Sequence, residues 1–275
     1  MVGRLDKQEL EKFMKPFISS IWRQPPSDLA ARIEVCIRDA CAHFGNAEPG
    51  YIYFRADDVA VAGRQFYRMM ELFSNYRVPL SLAVVPAWLT PERWNSLQNT
   101  GLKSSSLWCW HQHGWRHFNH ETDGRNQEFG SARLYSEIKH DLLKGRQRLE
   151  NILGGHFYPV FTPPWNRCNL ATLELLKECR YLAVSRNCGA LPPPPEKLPD
   201  LCVDVDLHTR KVKDPVSGWD RLFKALKKDI SSGRCGIMLH HQKMNAAAFD
   251  FLDILLKTLK QSKNIVLVNF KDLLK

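Results

Sequence analysis

From about residue 46 onward the chain alternates short apolar runs with segments of helical periodicity. The runs are YIYFRAD (51–57), VPLSLAVVP (78–86), SLWCWHQH (106–113), YPVFTPPW (158–165), YLAVSRN (181–187), LCVDVDLH (201–208), CGIMLHHQ (235–242) and NIVLVNF (264–270). Each is rich in Val, Ile, Leu or aromatic residues, as strands buried on both faces are. Amphipathic stretches at 61–75, 91–99, 132–153, 170–179, 219–232 and 246–262 lie between most of them. Thr90–Pro91–Glu92 makes a helix start, and Gly154–Gly155 ends the longest helix. Residues 1–45 read as two helices, the second with Ser27 as N-cap and Gly45 as stop. Strand followed by helix, repeated seven or eight times, predicts a parallel sheet. Reactive polar residues recur where the runs end: Asp57 and Asp58, His113, Trp165 and Asn166, Asp206 and His208, His240. In a (β/α) barrel those ends converge on one face. An open doubly wound sheet usually carries a glycine-rich phosphate loop after its first strand, and FRADDVAVAG is not one. The expected fold is therefore α/β, a distorted (β/α) barrel of seven or eight parallel strands. It forms a single catalytic domain, with 46–275 as the barrel and 1–45 as a helical extension packed on it. The PPPP at 192–195 is a stiff loop, not a linker between domains.

Composition narrows the function. The chain has 275 residues, 44% hydrophobic and 25% charged, enough to bury a real core. Its formal charge of +10 permits contact with polyanions. Yet Lys and Arg are scattered, with no basic run, zinc-finger spacing or aromatic RNA-binding motif, so nucleic acid is not an expected partner. Eight cysteines, at 36, 41, 109, 168, 179, 188, 202 and 235, include no CxxC pair. Neither a structural zinc site nor a redox dithiol is indicated. The charged first residues hold no signal-peptide core, and no apolar stretch approaches the length of a membrane helix. The expected compartment is a reducing cytoplasm.

The chemistry concentrates in WCWHQHGWRHFNH (108–120), which holds four of the ten histidines. The spacing of His113 and His117 puts both on one face of a helical turn. In a barrel they face Asp57–Asp58. Successive strand residues point to opposite faces, so two adjacent aspartates share a site only where the strand has ended and the backbone turns. One aspartate with the two histidines makes a set suited to zinc with a position open for water. The other is free to act as general base on that water, whose pKa a metal lowers. His240, ending GIMLH, is the proton donor for a leaving group.

Asp57–Asp58 after an apolar strand, HGWRH, FTPPWN and IMLHH resemble, in that order, the motifs of the polysaccharide deacetylases. This is the NodB-homology family, also called carbohydrate esterase family four, and the resemblance covers about residues 50–245 and a final strand. It implies a distorted (β/α) barrel that removes acetyl groups, usually N-linked, from sugars by metal-assisted hydrolysis. By the same resemblance Asp57 is the base and His240 the acid. Asp58, His113 and His117 hold one divalent ion, with zinc expected, and Pro163, Pro164 and Trp165 wall the substrate groove. Trp115 is assigned to the substrate with them, and Trp88, Trp108 and Trp110 are weighed as further groove residues or barrel core. The implied partner is an acetylated saccharide or sugar-linked small molecule.

The sequence also departs from the family pattern. Val59 replaces the usual glycine, Arg55–Ala56 the usual Thr-Phe, and Thr162 the arginine that pairs with the base. Arg167, Arg116 and Arg55 are the cations available to replace it; Arg167 is preferred, on the loop after the same strand, and Arg116 comes second. Asp206 is the candidate for the carboxylate that orients the arginine. His111 and His120 are read as supporting or packing residues, and His241 as pointing away from His240. EFG (128–130) either closes over the site or caps the long helix. Two other functions stay open: a deacylase of a non-sugar amide using the same site, and an inactive metal- or glycan-binding module.

Overall fold

The structure, a computed structural model, describes residues 18–42, 44, 49–100 and 106–275. The first expected helix and Gly45 lie outside the described residues. All eight apolar runs contain strands: β1 (Gly50–Val59), β2 (Leu80–Val84), β3 (Trp108–His113), β4 (Phe157–Thr162), β5 (Ala183–Val184), β6 (Val205–Asp206), β7 (Arg234–Leu239) and β8 (Ile265–Val268). Every pairing is parallel, in the order β5-β4-β3-β2-β1-β7-β6. β8 pairs with Gly50–Tyr53 at the start of β1, whereas β2 pairs further along, from Arg55. The last strand thus wedges into the bottom of the barrel and leaves the upper ends to the site.

β5 and β6 are far shorter than their apolar runs because this side of the barrel closes irregularly. The Leu201 N–H donates to the Val184 carbonyl and that of Val203 to Arg186, before Val205 pairs with Ile237. The same closure brings Cys188 and Cys202 together as a disulfide. The sequence reading, which looked for CxxC pairs, did not find this bond, because the two cysteines stand 14 positions apart and only the closure of the barrel brings them together.

The helices are α1 (Leu29–Cys41), α2 (Arg64–Asn75), α3 (Pro91–Asn99), α4 (Tyr135–Leu153), α5 (Leu170–Glu178), α6 (Pro215–Ser231), α7 (Ala246–Gln261) and α8 (Phe270–Leu273). Asp28, not Ser27, occupies the cap position of α1. α6 begins four residues before the expected 219, because the Asp214 carboxylate accepts the Val216 and Ser217 N–H groups and Pro215 follows as the first helical residue. The segment before α1 is tied to the barrel. Trp22 is buried, its indole N–H donates to the Leu207 carbonyl, and its ring packs edge-on to Trp219 and Phe251. It joins one continuous core with Phe54, Leu82, Phe251 and Leu255. No helix among the described residues is long and apolar enough to cross a membrane.

Candidate active site

Asp57 and Asp58 reach one cavity because β1 carries a bulge, not because it ends. Ala56 is opposite Leu82 but Val59 is opposite Val84, so β1 holds one residue more than β2 across this step. Asp58 takes φ 60°, a left-handed conformation uncommon outside glycine. Gln242 holds it there, donating from Nε2 to the Asp58 carbonyl at 2.6 Å. The expectation of a finished strand is thus corrected: the ladder resumes at Val59, and the extra residue re-aims Asp58.

The HGWRH segment is not helical either. β3 ends at His113, Gly114 turns at φ 56°, and His117 itself sits at φ 58°. Glu128, fully buried, organises this loop: its carboxylate accepts the backbone N–H groups of Trp115, Arg116 and His117 at 3.1, 2.6 and 3.2 Å. A Cβ at position 114 would lie 2.2 Å from a Glu128 oxygen, so the loop needs glycine there. Burial pushes the Glu128 pKa up, and the three N–H donors oppose that. EFG therefore neither covers the site nor caps a helix; it supports the histidine loop from beneath. Glu128→Ala leaves three N–H groups without their acceptor and should weaken divalent-metal binding by about 10–100-fold, the usual cost of losing a group that orients a ligand. Chelator competition measures this, and an unchanged affinity would remove the assigned role.

His113 and His117 converge on Asp58, with Nε2 of each 3.2 Å from Asp58 Oδ1. That oxygen is buried and neither contact is aligned as a hydrogen bond. His113 Nδ1 lies 2.9 Å from the Thr162 carbonyl oxygen, which can only accept; Nδ1 therefore carries an N–H, and in the neutral ring Nε2 is the nitrogen that offers a lone pair. One carboxylate oxygen and two imidazole nitrogens gathered at one point are a ligand set that fits a divalent cation.

Thr162, which stands where the resemblance expects an arginine, bonds His111 Nε2 through its hydroxyl at 2.9 Å. Burial, aided by the Arg55 charge, lowers the His111 pKa to about 3, so this ring is a neutral packing partner. The cation on Asp57 is Arg55. Its Nε and Nη2 fork onto the two Asp57 oxygens at 2.8 Å each, and its side chain is 0% exposed. Nη1 donates to the Ser185 carbonyl and hydroxyl, and Nη2 also to Asn166 Oδ1 at 2.6 Å. Burial alone would raise the Asp57 pKa, but Arg55, with His113 and His240, holds it below the ordinary aspartate value. Arg167 and Arg116 do not make this contact. Arg167 borders the cavity and its guanidinium is 3.5 Å from the Asn126 carbonyl, while the Arg116 guanidinium lies over the Trp115 ring. Asp206 does not orient the arginine; its carboxylate accepts from His208, Thr209 and the Thr209 hydroxyl within its own turn.

His240 follows the end of β7 and borders the same cavity of about 250 Å³, with Nε2 3.9 Å from Asp58 Oδ2. Its backbone N–H donates to Nδ1 of His208, whose buried ring is held far below the usual histidine pKa by burial and by the His240, Lys243 and His241 charges. His241 points elsewhere, its ring edge-on to Phe66. Trp165, half-buried, lies against His117 with ring centres 4.4 Å apart and forms part of the cavity wall. Trp115, assigned to the substrate in the sequence reading, is instead buried beside Ile138 and Leu142 beneath the loop, because Gly114 and Glu128 turn it inward. Pro164 is buried under Gly114 and is not among the cavity-lining residues. Trp108 and Trp110 belong to the core, and Trp88 stands at the surface 5.8 Å from the His117 ring.

No protein-family model matches the chain, and no curated protein does. Solved structures share its fold at low sequence identity. A Mycobacterium smegmatis protein assigned as a polysaccharide deacetylase aligns over 84% of this chain and 91% of its own, with TM-score 0.60 and 14% identity. A carbohydrate esterase family four pseudoenzyme from Bacillus anthracis aligns over 84% of this chain and 67% of its own, with TM-score 0.51 and 14% identity. A mutant described as that kind of pseudoenzyme with restored enzymatic activity gives TM-score 0.50 at 13% identity, over 84% of this chain and 69% of its own. The chain has the polysaccharide-deacetylase fold, a curled parallel sheet covered by helices.

Proposed function

We propose that this chain is a divergent polysaccharide deacetylase, a metal-dependent hydrolase that removes an acetyl group, N-linked in the first instance, from a saccharide or sugar conjugate. One observation carries the reading: Asp57, forked by the buried Arg55, opens into the same cavity as the Asp58–His113–His117 cluster and His240. A divalent cation held by Asp58, His113 and His117 supplies Lewis acidity toward the acetyl carbonyl. Asp57, kept ionised by Arg55, takes a proton from the attacking water. The water oxygen bonds to the acetyl carbon and the bond to the sugar nitrogen breaks. His240 delivers a proton to that nitrogen, and acetate and the free amine leave. Trp165 offers an aromatic face on which a sugar ring can stack.

The fold also accommodates a pseudoenzyme, so activity is argued from side chains. A base with its arginine and an acid on one cavity support turnover over an inert binding module. The direct test is acetate release from an acetylated chito-oligosaccharide; none from metal-loaded protein on any acetylated sugar or amide would leave the binding module as the better reading. For the metal, we expect about one divalent ion per chain, zinc foremost, and its loss in the His113→Ala/His117→Ala variant. Elemental analysis of both proteins decides this, and equal content in the two would remove the ligand assignment.

A further inference from the structure

Thr209 lines the catalytic cavity, and the next residue, Arg210, lines a second cavity of about 500 Å³. Adjacent Cα atoms are about 3.8 Å apart, so the two cavities approach each other at Thr209–Arg210. The second cavity is walled by Arg210, Lys211, Lys213 and Arg221 with a single carboxylate, Asp214. That carboxylate is committed to the Val216 and Ser217 N–H groups at the start of α6. Among the described residues no ion pair engages Lys211, Lys213 or Arg221. Arg210 is half-buried and donates from Nε to the carbonyl of Asp206, a residue that lines the catalytic cavity. Lys243 and Arg167 bring two more cations to the catalytic side. Four like charges around one concave surface repel one another, and an anion seated among them turns that repulsion into attraction.

We propose that this basic cavity is a subsite for a negatively charged group carried by the acetylated substrate, so that the enzyme acts on an acidic saccharide or sugar conjugate. The inference rests on the deacetylase reading for the reaction and on the second cavity for the charge. A phosphate, sulfate or carboxylate on the unit next to the acetylated one would meet Lys211, Lys213 and Arg221 while the acetyl group lies at Asp57. The attraction is screened by salt over a Debye length of about 8–10 Å, so the preference is greatest at low ionic strength.

The test compares N,N′-diacetylchitobiose with its 6-phosphate ester, using wild-type protein and Lys211→Met/Lys213→Met/Arg221→Met. In the wild type KM for the ester is expected to be about tenfold lower than for the neutral sugar at low salt. The triple variant should lose that advantage, with kcat and the neutral KM unchanged. Calorimetry with inorganic phosphate separates a substrate subsite from a free-anion site, since phosphate should compete with the ester and not with the neutral sugar. Equal KM values for the two sugars in wild type and variant would overturn the proposal. So would phosphate binding that is lost in the variant while the KM for the ester stays put. If neither sugar is hydrolysed, the deacetylase reading is decided by the wider set of acetylated sugars and amides; calorimetric binding of ester against neutral sugar still decides the subsite, and equal binding overturns it.

Discussion

Asp57→Asn is expected to lower kcat for acetate release by about 10²–10⁴-fold, the usual worth of a positioned general base, while divalent-metal content stays unchanged. The amide matches the carboxylate in shape but cannot take up a proton from water. Asp57 lies outside the cluster of Asp58, His113 and His117, so the metal should persist. Elemental analysis beside single-turnover kinetics checks both halves, and loss of metal with activity would mean that Asp57 is a ligand. The substitution also has a structural cost, since the amide N–H₂ faces one arm of the Arg55 fork. A modest fall in Tm is therefore expected, and the metal measurement guards against mistaking unfolding for lost catalysis.

Arg55→Met is expected to destabilise the fold by about 3–5 kcal/mol, because it strands a buried carboxylate without its counter-ion. Asp57 is 3% exposed at its side chain and Arg55 0%, so solvent screens the stranded charge little. The same variant should shift the acidic limb of the activity profile to higher pH. Ionised Asp57 is the active base; burial raises its pKa and Arg55 opposes that most strongly, so removing Arg55 lets protonation begin at higher pH. Stability follows the same sign. The Asp57 pKa in the folded wild type lies below its unfolded value, so the contribution is complete above the unfolded pKa and is lost as pH falls through the folded one. Urea titration and a pH–rate profile read the two effects. Arg167→Met and Arg116→Met should leave the acidic limb in place, and a limb that moved with either would transfer the role. Arg55→Met/Asp57→Asn, which removes both charges, should recover part of the lost stability.

The eight strand runs, most helix limits, and the residue types of the cluster were legible in the chain. These features are local: covalent geometry sets periods of 2 and 3.6, and reactive residues at strand ends stand out against an apolar background. Arg55 was legible too, since residues two apart on a strand share a face and Arg55 precedes Asp57 by two. The expectation of an arginine after β4 drew attention to Arg167 instead. What made Arg55 identifiable was the set of groups around its guanidinium, Ser185 and Asn166, 130 and 111 residues away in sequence. The bulge at Asp58 has no sequence signature, because its extra residue exists only relative to the register of β2. The inward turn of Trp115 depends on Glu128 filling the concavity beneath Gly114. The Cys188–Cys202 bond depends on how the irregular side of the barrel closes. The sequence by itself therefore determined which elements form and which chemistry they carry. Only the tertiary structure decided which side chains meet, because register, bulges and barrel closure are settled between segments distant in the chain.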